Sequence, residues 1–383
     1  MSEQSVYLDN AATTPVAPEV IETMVPFLKE YFGNPSSSHA FGRKTKSALE
    51  TARRTIAAAL NCAPSEICFT SGGTEADNMA LHAAVVDLGC DHIITSAIEH
   101  SAVIKSAEAL AHEKGVRLSH VKLLKNGDVD LADLQRLLGE GGKAIVSLMH
   151  GNNEIANLLP LSEVSAMCRN AGALFHSDTV QTMGHYAFDL KALDIDFITC
   201  AAHKFHGPKG IGFLYINKAL KVSPVIRGGG QERSLRGGTE NIYGIVGLAR
   251  AVELAYADLE AHQTHVRSLK KYMIERLQAE VPDVAFNGDS ASENSLYTVL
   301  NVNFPKTENA GMMLFLLDLE GVACSGGSAC SSGAAKGSHV LDALGAITPD
   351  RGASLRFSFS RYTTREEIDF AIEKIAKLCL QQA

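Results

Sequence analysis

Residues Glu66 to Lys114 read EICFTSGGTEADNMALHAAVVDLGCDHIITSAIEHSAVIKSAEALAHEK, and the rhythm of this stretch decides the fold. Glu66 to Thr70 is a short apolar run, Thr74 to Leu88 has helical spacing, His92 to Ala97 is strand-like again, and Ser101 to Lys114 returns to helix. The same alternation continues outward. Val116 to Leu123 precedes Leu131 to Leu138, Lys143 to Met149 precedes Leu161 to Ala171, and Ala173 to Ser177 leads toward Asp194 to Cys200. Strands that alternate with helices predict an α/β fold, a mostly parallel central sheet sandwiched by helices on both faces.

Beyond Asn241 the pattern changes. A long helical run reaches Leu277, followed by a strand-like Thr298 to Phe304, a helix near Ala310 to Glu320 and a strand at Ser354 to Ser358. This predicts a smaller α+β domain. The expected boundaries are 16–258 for the large α/β domain, with 1–15 and 259–383 forming the small one; a chain of 383 residues has room for both.

Composition narrows the functional classes. The chain is 46% apolar with a formal net charge of −8, the profile of a globular protein and not of a nucleic-acid binder. Met1 to Val6 lacks a basic region leading into an apolar core, and no apolar run has the length of a membrane span. The expectation is a cytoplasmic enzyme. Eight cysteines, at 62, 68, 90, 168, 200, 324, 330 and 379, form no CxxC pair, so disulfides and structural zinc are not expected.

In open parallel sheets, ligands bind beyond the carboxyl ends of the strands. His100, Asn153, Asp178 and Lys204 each follow a predicted strand, so four polar groups converge on one edge. Each has an ordinary structural account as a helix start, a cap or a turn residue. The turn Thr70-Ser71-Gly72-Gly73-Thr74 carries two glycines before a helix, which suits either a plain capped turn or a cradle for an anion at the helix N-terminus. It matches neither the dinucleotide fingerprint nor the Walker loop. Lys204, in Ala201-Ala202-His203-Lys204-Phe205-His206-Gly207-Pro208-Lys209-Gly210, follows an apolar strand. A phosphate cradle together with a lysine that can form a Schiff base points to pyridoxal 5'-phosphate.

The chain as a whole resembles the cysteine desulfurases, in the class V aminotransferase group of fold-type I pyridoxal-phosphate enzymes. Motifs spread along nearly its whole length carry the resemblance: Tyr7 to Pro15, Gly33 to Ser36, Thr70 to Asn78, Glu99-His100, Asn152 to Ile155, Asp178 to Gln181, His203 to Gly210, Arg236 to Thr239, Ser328-Ala329-Cys330 and Leu355 to Ser358. The resemblance implies that Lys204 joins the cofactor as a Schiff base and later moves protons. It implies that Asp178 pairs with the pyridine nitrogen, Gln181 bonds the phenolic oxygen, and His100 stacks on the ring as an acid/base. The phosphate would be held by Gly73, Thr74, His203 and Thr239, the last from the neighbouring subunit of a homodimer. Asn153 and Arg356 would bind the substrate carboxylate, a task that suits a planar guanidinium.

Cys330 selects the reaction. It lies in a stretch of small residues, Cys324 to Gly337, whose composition predicts a mobile loop. The resemblance implies that its thiolate attacks the sulfur of bound L-cysteine, so that L-alanine leaves and Cys330 keeps the sulfur as a persulfide. An iron–sulfur scaffold protein is the implied acceptor, with Cys330 itself a transient cluster ligand and no firm metal site elsewhere. Three departures from the family pattern stand out. Ala201 replaces a serine that touches the phosphate, Ala156 replaces a glycine, and the chain ends 22 residues after Arg361, short of a C-terminal docking extension. A selenocysteine lyase or small-amino-acid aminotransferase on the same scaffold, and a noncatalytic sulfur-transfer subunit, are the competing readings. Metal binding through Cys324, Cys330 and His339 has no standard ligand spacing.

Overall fold

The computed structural model describes residues 5–307, 310–326, 337–346 and 351–380. In chain order its strands are β1 (Val6–Tyr7), β2 (Ile67–Thr70), β3 (His92–Ser96), β4 (Arg117–Val121), β5 (Ala144–Ser147), β6 (Leu174–Asp178), β7 (Phe197–Ala201), β8 (Gly212–Ile216), β9 (Ala285–Phe286), β10 (Val299–Pro305), β11 (Val322–Ala323) and β12 (Arg351–Ser358). The helices are α1 (Pro18–Lys29), α2 (Ala40–Ala59), α3 (Gly73–His82), α4 (Ser101–Lys114), α5 (Leu131–Leu138), α6 (Leu161–Ala171), α7 (Leu190–Leu193), α8 (Ile242–Ala257), α9 (Leu259–Glu280), α10 (Met313–Leu319), α11 (His339–Ala343) and α12 (Arg365–Leu380).

Seven strands form the main sheet, in the order β2-β8-β7-β6-β5-β3-β4. All neighbours run parallel except β8, which is antiparallel to both β2 and β7. Adjacent strand residues point to opposite faces, so a sheet covered on both sides needs continuous apolar runs. Ile94, Val146 and Ile198 accordingly pack into one core, while Ile93, Ile145 and Phe197 pack into the core on the opposite face. The predicted α/β sandwich is what the chain builds. Gly212 to Ile216 was not anticipated as a strand, and a Cβ at Gly212 would lie 2.1 Å from the Cys200 carbonyl oxygen, so only glycine lets β8 enter beside β7.

The long helical run after Asn241 is two helices, parted at Asp258, whose φ of −125° and ψ of 33° are not helical. Past this break the apolar residues serve another core. Val266, Leu269, Met273 and Leu277 of α9 and Ile368, Ala371, Ile372 and Ile375 of α12 recur at helical spacing and pack on Leu300, Val302, Leu355 and Phe357. The antiparallel sheet here has the order β12-β10-β9. Val6 and Leu8 join the same core through β1, which pairs in parallel with β11.

Candidate active site

The carboxyl ends of the sheet strands and one edge of the second core enclose a cavity. Gly73, Thr74, His100, Asn153, Asp178, Gln181, His203, Lys204 and Arg356 all line it, so of the residues expected in the site only Thr239 and Cys330 are not among its walls. Thr239 is exposed on the segment before α8, and Cys330 lies outside the described residues.

Lys204 sits in a short 3-10 turn directly after β7. Its Nζ donates to the carbonyl oxygens of Ala11 at 2.6 Å and Ala12 at 2.9 Å. Those carbonyls belong to the N-terminal segment, which is laced onto the lysine turn by the Thr14 amide on the His203 carbonyl and the His206 amide on Thr14 Oγ1. Gln181 Nε2 reaches the same Ala11 carbonyl at 3.0 Å. The Asp9 to Thr14 turn is therefore a wall of the site made from backbone, a role its side chains give no hint of.

Asp178 ends β6 and is buried, with Oδ1 accepting from the Val180 amide at 2.9 Å. Burial raises its carboxyl above the ordinary range and neighbouring Asp77 raises it further, against the pull of His100. Asp77, on α3, is a second acid in the wall, pushed up to about 7 by burial, with its Oδ1 3.5 Å from His176 Nε2. His176 stands behind it on β6, its Nδ1 on Ser147 Oγ at 2.8 Å and its Nε2 on Thr199 Oγ1 at 3.0 Å. Burial drops that histidine to about 4. The floor is thus a buried polar network in which Ser147, His176 and Thr199 bond one another and Asp178 bonds a backbone amide.

At the opposite wall, α3 starts at Gly73 with no side-chain cap. Gly72 has a φ of 154° and open space where a Cβ would be, whereas a Cβ on Gly73 would meet Val180 Cγ2 at 2.8 Å. Uncapped N–H groups at a helix N-terminus attract an anion. Beside them His203, its Nδ1 on Thr13 Oγ1 at 3.1 Å, is held down to about 4 by burial first and then by Lys204 and Lys209. An anion cradle, an amine and a buried acid in one enclosure fit a phosphorylated pyridine aldehyde. Ala201 also lines the cavity and brings no hydroxyl to it.

His100 is the N-cap of α4, its Nδ1 accepting the Ala102 amide at 3.2 Å. Asn152 shapes the neighbouring turn, since its Oδ1 takes the amides of Glu154 and Ile155 while its Nδ2 bonds the Ile98 carbonyl. Arg356 enters from β12 with only 1% exposure. Its Nη2 pairs with Asp9 Oδ1 and its Nη1 donates to the Asn153 carbonyl, each at 2.9 Å, while Nε has no partner among the described residues. Two further walls, Glu154 and His339, were not expected in the site: the sequence offered Glu154 only within a motif and His339 only in the metal reading. Ser338 Oγ donates to Glu154 Oε2, and His339 Nε2 meets the Glu99 carbonyl at 2.9 Å.

The model of the family described as "Aminotransferase class-V" matches residues 6–370. The chain belongs to the class-V aminotransferase family. Members of this family are pyridoxal-phosphate enzymes. Among class-V relatives, the protein named cysteine desulfurase IscS from Dictyoglomus turgidum is 41% identical over 378 residues, 98% of this chain and 95% of its own length. A Clostridium botulinum protein of the same name is 39% identical over 381 residues, 99% of this chain and 95% of that protein. Of the solved structures, a NifS-like protein superposes with a TM-score of 0.89 at 36% identity, covering 98% of this chain and 99% of that one. A protein named SspA, solved in complex with cysteine, has a TM-score of 0.80 at 30% identity and covers 94% of this chain and 100% of its own. No helix among the described residues is long and apolar enough to cross a membrane.

Proposed function

We propose that this protein is a cysteine desulfurase, which converts L-cysteine to L-alanine and leaves the sulfur on Cys330 as a persulfide for an iron–sulfur scaffold protein. The observation that carries the reading is a cavity uniting Lys204, Asp178, His100, Gln181 and Arg356 in a chain 41% identical to a cysteine desulfurase over 98% of its length. Lys204, Asp178, Gln181, His203, Gly73 and Thr74 would hold pyridoxal phosphate, with Thr239 of the partner subunit completing the phosphate site in a cytoplasmic homodimer. When bound, that group withdraws electrons from the carbons of an amino acid joined to it.

The protein's own residues do the rest. Arg356 and Asn153 take the substrate carboxylate, which must draw the guanidinium from Asp9. The amine of Lys204, oriented by two carbonyls, moves protons at the substrate carbons. Attack by the Cys330 thiolate forms an S–S bond as the substrate's C–S bond breaks. Carbon is reduced and sulfur oxidised within the same step, so no external oxidant or reductant enters.

Holoprotein incubated with L-cysteine should yield alanine, with one added sulfur on the tryptic peptide that contains Cys330. Cys330→Ala should form no such adduct, and Lys204→Ala should lose turnover by about 10²–10⁴-fold. Alanine formation undiminished in Cys330→Ala under reductant would refute the assigned nucleophile.

A further inference from the structure

The turn that leaves β6 carries polar side chains at both ends. Asp178 and Gln181 face the cavity from its first half. Its second half folds back, with the amides of Thr182 and Met183 on the Thr179 carbonyl and the His185 amide on the Thr182 carbonyl. This half presses against the lysine turn. Gly184 makes the approach possible, since its φ is 76° and a Cβ there would meet Phe205 Cγ at 2.8 Å. His185 follows, buried, with Nε2 3.2 Å from the backbone carbonyl oxygen of Lys204 and Nδ1 3.1 Å from the Tyr297 hydroxyl.

These two contacts fix how the ring is used. A carbonyl can only accept, so Nε2 carries the hydrogen and donates to Lys204. Burial drops the ring to about 4, so it is neutral at ordinary pH and Nδ1 keeps its lone pair. The Tyr297 hydroxyl donates to that lone pair and shares its hydrogen with the His185 carbonyl at 3.2 Å. Tyr297 is buried in the second core, and Gln263 of α9 also donates to the His185 carbonyl, at 2.7 Å. His185 thus ties the second core to the backbone of the lysine.

The lysine turn depends on such partners. Phe205, with φ −136° and ψ 47°, leaves the 3-10 geometry, and His206 has a φ of 67°, where a side chain costs about 1–2 kcal/mol. Successive carbonyls of the turn have separate donors. The Ala202 oxygen takes the Phe205 and Gly207 amides, the His203 oxygen takes the Thr14 amide, and the Lys204 oxygen takes the imidazole. Holding that last carbonyl fixes the ψ of Lys204, and with it the direction in which the side chain leaves the backbone.

We infer that His185 is a positioning residue: by holding the Lys204 carbonyl from the far end of the turn that carries Asp178 and Gln181, it aims the amine at the site those two residues define. It acts through the backbone and is not among the cavity walls. This inference rests on the desulfurase reading, in which Lys204 is the lysine that joins pyridoxal phosphate. A purely packing role is the alternative, because the ring also lies edge-on to Tyr297 at 5.8 Å and 5.3 Å from the ring of His262.

Two substitutions separate these roles. His185→Phe keeps an aromatic ring and removes both of its hydrogen bonds, whereas His185→Gln gives up the ring but returns an amide N–H toward the Lys204 carbonyl. In His185→Phe holoprotein, kcat for alanine formation should fall by roughly 10²-fold with KM for cysteine unchanged, because Arg356 and Asn153 are untouched. The visible circular dichroism of the bound cofactor, read before substrate is added, should fall at unchanged cofactor content. His185→Gln should recover most of both signals. Tyr297→Phe removes a single hydroxyl at nearly constant volume and should lower kcat by about two- to tenfold, the worth of one neutral hydrogen bond. Its readouts decide the matter should His185→Phe not fold. Wild-type kcat and dichroism in His185→Phe and Tyr297→Phe, or a loss in His185→Gln equal to that in His185→Phe, would overturn the assignment. Wild-type holoprotein that shows the visible dichroism but forms no alanine from cysteine would instead remove the desulfurase reading itself.

Discussion

The two sides of the cavity are built on different physical plans. On the sheet side, Ser147, His176 and Thr199 sit at or near strand ends, buried and bonded to one another, and Asp178 faces the cavity beside them with its carboxylate on the Val180 amide. On the other side, each functional group crosses from the second core or from α11 to the sheet by one or two polar links. These are Arg356 to the Asn153 carbonyl, Ser338 to Glu154, and His339 to the Glu99 carbonyl, while Arg356 also pairs with Asp9 of the N-terminal segment. A rigid floor suits a group that stays bound throughout. A rim held by exchangeable links suits a substrate that must displace them on every turnover.

The strongest challenge to this contrast is Arg356→Lys. Lysine keeps the charge but offers no planar fork, so it cannot serve Asp9, the Asn153 carbonyl and an incoming carboxylate in the same way. KM for cysteine should rise roughly ten- to hundredfold, the equivalent of about 1.5–3 kcal/mol for a hydrogen bond to a charged group. Cofactor retention should be little changed, because the floor is untouched. Steady-state kinetics together with cofactor content checks this, and loss of cofactor in parallel with the KM effect would show that the two sides are not separable.

Glu99→Gln tests the sheet side by its response to pH. Glu99 is 1% exposed, its Oε1 takes the Ser96 hydroxyl at 2.7 Å, and burial pushes it up to about 8. The folded protein then holds a proton that the unfolded chain releases near the ordinary carboxylate range. Between those two values the folded state binds more protons, so this group makes the wild type lose stability as pH rises. Glutamine does not titrate. The variant should gain on the wild type by about 1 kcal/mol per pH unit from pH 5 to 8 and no further above that. Urea midpoints across that range measure the effect, and a difference independent of pH would mean that the sheet side is wetter than its burial indicates.

The sheet side was also the more legible in sequence. His100, Asp178 and Lys204 were found because alternating runs locate strand ends, and strand ends locate ligands. Helices α4, α5 and α6 fall at the expected residues. Strand β8 escaped because Gly212 to Ile216 follows directly on the lysine peptide, and nothing local states the direction in which a short strand runs. The Ala11 and Ala12 carbonyls were invisible for a different reason, since a wall made of backbone leaves no side-chain signature. His339 and Glu154 were named but not assigned to the site, because the packing that brings their segments together joins residues 184 apart, as in the Ser338–Glu154 bond. Spacing along the chain carries no information about such a contact.

Ala156 lies on the seam between the two sides and gives the smallest and most delicate test. Its φ of 64° is in the left-handed region, where a side chain costs about 1–2 kcal/mol relative to glycine. Yet the residue is fully buried, in a cluster with Ala11, Leu296 and Val299, and its carbonyl accepts the Leu296 amide at 2.8 Å. Replacing it with glycine would relieve the strain. The change would also forfeit a buried methyl group, about 0.8 kcal/mol, and free the unfolded chain by about 0.4–1 kcal/mol. These contributions nearly cancel, so Ala156→Gly should shift stability by no more than about 1 kcal/mol in denaturant unfolding, within the sum of those terms. A stabilisation well above that would mean the seam holds real strain, as an element meant to yield when substrate binds would. The near-neutral result would mean that the methyl packing between the rigid floor and the exchangeable rim compensates for an unfavourable backbone, and that Arg356, Ser338 and His339 carry the adjustment between the two sides.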